Sequence, residues 1–89
     1  MRLENVTIIN RLGLHARAAA QLLRLANTFK SDITLVKGEQ KANAKTIMEL
    51  LMLAATKGTK LIIHAEGPDE DAAIKAILEL INNKFNEIE

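Results

Sequence analysis

The chain predicts an open-faced α/β (α+β) sandwich of order βαββαβα, in which one small sheet is covered on a single face by three helices. Three observations lead there. Short stretches of alternating or β-branched residues are interleaved with longer segments whose apolar residues recur at helical spacing. Turn-forming residues separate several of these stretches. The 89 residues, 48% of them hydrophobic, suffice for one core and not for two, so residues 1–89 are expected to form a single domain.

Each element has its own signal. Residues 2–8 read as a strand because Val6 to Ile8 is rich in β-branched side chains, and Asn10-Arg11-Leu12-Gly13 ends it as a loop. From Ala16 onward Ala19, Leu22, Leu23, Ala26 and Phe29 share one helical face, with Arg17, Gln21, Arg24 and Thr28 opposite. Ile33 and Leu35 alternate with Asp32, Thr34 and Lys37 in a second strand. Gly38 turns the chain into a short third strand around Lys41 to Asn43. Ile47, Leu50, Leu51 and Ala54 predict a short second helix that stops before Lys57-Gly58. Leu61, Ile63 and Ala65 form the inner face of a fourth strand, which leaves His64 on the other face. After Gly67-Pro68, Asp69 is placed to cap a last helix with Glu70 and Asp71 in its first turn. The core stripe of that helix is Ile74, Ile77, Leu78, Ile81 and Phe85.

Composition removes several function classes. There is no cysteine, and two histidines far apart in sequence make a poor ligand set, so neither a disulfide framework nor a metal site is expected. No stretch is long and apolar enough to insert in a membrane, and a cytoplasmic location is the expectation. Twelve Lys+Arg against eleven Asp+Glu give a net charge of +1, too little for a nucleic-acid binder by bulk electrostatics. The only aromatic residues, Phe29 and Phe85, fall on core stripes and leave no base-stacking platform, which disfavours a nucleic-acid or small-molecule binding module on a similar sheet.

The chemistry concentrates in Gly13-Leu14-His15-Ala16-Arg17, where an imidazole and a guanidinium stand two residues apart as a loop becomes a helix. A helix start leaves backbone N–H groups without partners and carries partial positive charge, so it suits an anion. Imidazole is largely neutral, hence nucleophilic, near pH 7. The segment therefore reads as a site for a phosphoryl group carried on His15, held by Arg17 and the backbone of Ala16 and Arg17.

Two motifs together, Gly13-Leu14-His15-Ala16-Arg17 and Asn43-Ala44-Lys45-Thr46-Ile47-Met48, with Lys57-Gly58-Thr59 and Ala65-Glu66-Gly67 following, give the chain a family likeness over nearly its whole length. It resembles the histidine-containing phosphocarrier family, HPr, of the bacterial phosphoenolpyruvate-dependent phosphotransferase system. The resemblance implies an antiparallel four-stranded sheet and transient phosphorylation on Nδ1 of His15. It implies a carrier, not an enzyme, that takes the phosphoryl group from enzyme I and passes it to enzyme IIA domains for sugar uptake, with no cofactor. A nitrogen-related regulatory branch of the same chemistry is the alternative, and a monomer is expected.

Several positions depart from the family pattern or carry two readings. Ala18 stands where proline is usual, and it restores an amide that could add a further donor to the phosphate. Arg24, Lys45, Ile47 and Met48 are the expected partner surface, the cations by steering an acidic partner and Met48 by adaptable contact. Met48 and Met52 could equally fill gaps at the core edge. Thr46 corresponds to a serine that an HPr kinase/phosphorylase modifies in some family members. Thr46-Ile47-Met48-Glu49 is also a capping-box pattern, with hydroxyl and carboxylate each bonding the other residue's amide, and this is the reading adopted.

Overall fold

The computed structural model describes all residues, Met1–Glu89. Its elements are β1 (Arg2–Thr7), α1 (Ala16–Ala26), β2 (Asp32–Lys37), β3 (Gln40–Asn43), α2 (Ile47–Met52), β4 (Lys60–Glu66) and α3 (Glu70–Asn82), followed by a short turn of 3₁₀ type over Lys84–Asn86. The sheet order is β1-β4-β2-β3, and every pair is antiparallel. This is the βαββαβα order expected from the sequence.

Alternation along the strands produces the open face. Ile33 and Leu35 of β2 and Leu61, Ile63 and Ala65 of β4 are buried, and the register sets Ile33 beside Ala65 and Leu35 beside Ile63. Their sequence neighbours look outward. There His64 lies between Leu3 and Thr34, half-buried, on the face opposite Ile63 and Ala65 that its place in the alternation implies. The inner face meets Ala18, Ala19, Leu22 and Ala26 of α1, Leu50 of α2, and Ala73, Ile74, Ile77 and Ile81 of α3, in one core of 22 buried residues. Each fully buried Leu or Ile there contributes on the order of 1.5–3 kcal/mol relative to exposure. Alanines dominate the buried stripe of α1, and α1 packs against both α2 and α3.

Three local expectations are corrected. Helix α2 ends at Met52, and Ala54, expected on its core stripe, is exposed at φ +50°. The residue that completes the buried face with Leu50 is Leu53, the C-cap of α2, which keeps right-handed helical backbone before the chain turns at Ala54. Helix α3 ends at Asn82. Phe85 is fully buried, as expected, but from a left-handed turn outside the helix, where Lys84, Phe85 and Asn86 have φ of 57°, 54° and 64°. Asp69 occupies the N-cap position of α3, where its carbonyl accepts from the Ala73 amide but its side chain makes no cap bond. Its carboxylate instead accepts from the amides of Lys30 (2.9 Å) and Ser31 (3.0 Å) and from the Ser31 hydroxyl (2.5 Å), pinning the entry to β2. Those bonds hold its carboxyl below the usual carboxylate range.

Candidate functional site

His15 is the N-cap residue of α1, in extended conformation at φ −81°, ψ −179°. The loop before it is fixed from below. Gly13 sits at φ +67°, and a Cβ added there would lie 2.5 Å from the Ala55 carbonyl oxygen, so only glycine lets the loop press onto residues 55–56. The Leu14 amide then donates to that same oxygen at 2.8 Å, and Leu14 is itself buried. One residue later the imidazole emerges at the start of the helix.

The ring is held on both nitrogens. Nδ1 accepts from the Arg17 amide at 3.3 Å, and Nε2 is hydrogen-bonded to Oε2 of Glu87. The Ala19 amide donates to the His15 carbonyl, while those of Ala16 and Ala18 have no backbone acceptor, so the first turn keeps free donors beside Nδ1. The Ala18 amide, which proline would lack, is one of these unbonded groups. Its side chain is fully buried. The Arg17 guanidinium has no ion-pair or hydrogen-bond partner. It shares an open cleft with His15, Gln21 and Glu87.

Glu87 was not foreseen from the sequence. Its second carboxylate oxygen accepts from Asn10 Nδ2 at 3.0 Å, and that nitrogen also donates to the Gly13 carbonyl at 2.8 Å. Asn10 is fully buried, so the loop before His15 and the segment after α3 are tied together inside the molecule. Hydrogen bonds from His15 and Asn10 outweigh desolvation and hold the Glu87 carboxyl below the usual carboxylate range. The Asn82-Asn83 pair was the available signal. Both residues favour helix ends and tolerate left-handed backbone, and they stop α3 early enough for the chain to fold back.

The capping box is overturned. Thr46 is the N-cap of α2 but makes no side-chain cap bond. Its amide is already committed to the Asn43 carbonyl at 3.0 Å, so the Glu49 carboxylate reaches past it to accept from the Asn43 amide at 3.0 Å. Among the expected partner residues, Arg24 is exposed and unpaired and Ile47 is half-buried. Met48 is 63% exposed and Met52 72% exposed, which removes the core-edge reading of both. Lys45 differs from expectation, since its ammonium donates to the Phe29 carbonyl at 2.9 Å. No three His, Cys, Asp or Glu side chains converge in a way that could hold a metal ion, and no helix is long and apolar enough to cross a membrane.

Comparison with known proteins identifies the family. Residues 3–83 match the family model described as the PTS HPr component phosphorylation site. A phosphocarrier protein HPr of Pseudomonas aeruginosa is 48% identical, the alignment covering 92% of both chains. A phosphocarrier protein NPr of Shewanella violacea is 49% identical over 92% of this chain and 90% of its own. A crystal structure of HPr from Thermoanaerobacter tengcongensis superimposes with a TM-score of 0.96 at 42% identity, covering all of both chains. Glu87 lies beyond the residues matched to the family. The chain belongs to the HPr family of phosphocarrier proteins of the phosphotransferase system, which carry a phosphoryl group covalently on histidine and are not themselves enzymes.

Proposed function

We propose that His15 is the phosphoryl-carrying histidine and that Nδ1 is its reacting atom, in a cytoplasmic, monomeric carrier formed by residues 1–89. The observation that supports this best is the convergence at the start of α1. Nδ1 faces the first-turn amides, and the uncommitted Arg17 guanidinium lies on the same cleft. In-line transfer spreads charge over the three equatorial oxygens of the phosphoryl group. The amides of Ala16, Arg17 and Ala18 and the Arg17 side chain are donors for that charge. A helix-terminus interaction is worth roughly 0.3–1 kcal/mol when exposed, so the group is stabilised without being trapped. Reversible carriage between enzyme I and enzyme IIA needs that modesty.

Incubation with phosphoenolpyruvate and enzyme I tests the reading. Label should appear on the wild type and be absent from His15→Ala, and Arg17→Ala should slow uptake while leaving the fold intact. Label on His15→Ala would sink the assignment. The partner face is proposed to be Arg24, Ile47 and Met48, with Lys45 contributing charge while tied to Phe29. Neutralising Arg24 should lower the association rate with enzyme I and weaken its salt dependence.

The similar identities to an HPr and an NPr relative support keeping a second branch in view, nitrogen-related regulation in place of sugar uptake. Transfer from the phosphorylated chain to a sugar-specific or to a nitrogen-branch enzyme IIA separates the two. Thr46 is proposed as a regulatory phosphorylation site, since its half-buried hydroxyl makes no cap bond. ATP with an HPr kinase/phosphorylase should then modify the wild type and not Thr46→Ala.

A further inference from the structure

Three consecutive non-glycine residues in left-handed conformation, Lys84, Phe85 and Asn86, are a costly way to turn a chain, above all at Lys84 and Phe85. Burial of the whole Phe85 side chain in the core offsets that cost. The result brings Glu87 back beneath the His15 ring, 72 residues away in sequence. Further bonds keep the segment there: Asn86 Nδ2 donates to Gln21 Oε1 at 3.3 Å, and the Arg11 guanidinium pairs with the Glu89 carboxylate at 2.7 Å.

A carboxylate can only accept, so the His15 nitrogen facing Glu87 must be the one that carries hydrogen. The opposite nitrogen faces a backbone N–H, that of Arg17, which can only donate. Both neighbours therefore select one tautomer, with hydrogen on Nε2 and the lone pair on Nδ1. The Asn10 amide sets which oxygen is offered, since it occupies Oε1 and leaves Oε2 to the ring. This pattern of a carboxylate behind an imidazole fixes the orientation and the tautomer of the ring.

Resting on the reading of His15 as the carrier, we propose that Glu87, oriented by Asn10, is a positioning residue for phosphoryl transfer that holds His15 in the Nε2–H tautomer and so presents the Nδ1 lone pair to phosphorus. In uptake, the Nδ1 lone pair forms the N–P bond while the bond from phosphorus to the donor's carrying atom breaks, and that atom keeps the electron pair. No proton need move. The His15 ring keeps its Nε2 hydrogen and gains positive charge, which the Glu87 carboxylate meets as an ion pair. In delivery the N–P electron pair returns to Nδ1 and the charge on the ring is relieved.

Nitrogen-15 chemical shifts of labelled His15 in the unphosphorylated protein at neutral pH test the tautomer directly, and stopped-flow uptake from phospho-enzyme I tests its consequence. Wild type should show a protonated Nε2 and a lone-pair Nδ1. In Glu87→Gln the amide can donate or accept, so the Nδ1–H form should gain population and uptake should slow by about tenfold or more. Glu79→Gln, an exposed and unpaired carboxylate on α3, should change neither, and amide fingerprint spectra would confirm that each variant keeps its fold. An Nδ1–H tautomer in the wild type, or an unchanged tautomer in Glu87→Gln, overturns the proposal. So does a shifted tautomer with unchanged uptake. A wild-type chain that takes up no phosphoryl group would instead overturn the carrier reading, and the transfer role of Glu87 with it, while the tautomer shift would still be seen.

Discussion

Replacing Gly13 by alanine tests how the loop places His15, and the structure allows its cost to be separated into two parts. The residue adopts φ +67°, where an L side chain costs about 1–2 kcal/mol. The added Cβ would also lie 2.5 Å from the Ala55 carbonyl oxygen and 2.9 Å from the Thr56 Cα, both backbone atoms that cannot rotate aside. Overpacking of that kind typically costs about 1–3 kcal/mol. Gly13→Ala should therefore lose about 2–5 kcal/mol, a large share of the roughly 5–15 kcal/mol that stabilises a domain. Gly38 is the internal control, since it has φ +59° with nothing within 4 Å of an added Cβ. Gly38→Ala should cost only the conformational part, about 1–2 kcal/mol. Urea unfolding of both variants gives the two values under one protocol. Thermal melting should separate the variants by several degrees, because 1 kcal/mol shifts the midpoint of a domain this size by roughly 4–8 °C. Equal destabilisation by the two substitutions would refute the close approach at Ala55. The position of His15 would then lack its packing cause.

Three further outcomes follow from local geometry. Ala54→Gly should stabilise the protein by about 0.5–1 kcal/mol in urea unfolding, because Ala54 is exposed at φ +50° just past α2, where glycine avoids most of the left-handed cost. Thr46→Ala should change stability by less than about 0.5 kcal/mol and add simply to Glu49→Ala, since no reciprocal cap joins them; a strongly non-additive double variant would restore the capping box. Asp69 and Glu87 both have carboxyl pKa values below their unfolded ones, so the stability they contribute is fully present above the ordinary carboxylate range. It is lost as pH falls through the depressed values, and Asp69→Asn should flatten that acid limb of the stability curve; an unchanged limb would mean that the Asp69 bonds to Lys30 and Ser31 add no acid-linked stability.

Most of the fold was legible because local pattern and tertiary demand agree. Leu61, Ile63 and Ala65 alternate in sequence and are buried in the sheet, and Ile74, Ile77 and Ile81 recur at helical spacing and face the core. The site's front was legible for the same reason: a helix start, an imidazole and a guanidinium are local features of residues 13–17. Its back was not. Glu87 reaches His15 only because Phe85 is buried from a left-handed turn, and an apolar residue four positions after Ile81 looks the same in sequence whether the helix continues or has stopped. The Thr46–Glu49 pattern misled for a related reason. A capping box needs a free N-cap amide, and the turn that closes Asn43 onto Thr46 had already taken it.

Carriage as proposed places the phosphoryl group on one atom, Nδ1 of His15. Phosphorylation of histidine-labelled protein by phosphoenolpyruvate and enzyme I, followed by phosphorus–nitrogen correlation spectroscopy, reads that atom directly. A single acid-labile phosphorus signal coupled to Nδ1 of His15 is expected, with His64 unchanged. Coupling to Nε2 of His15, or any phosphorus on His64, would contradict it.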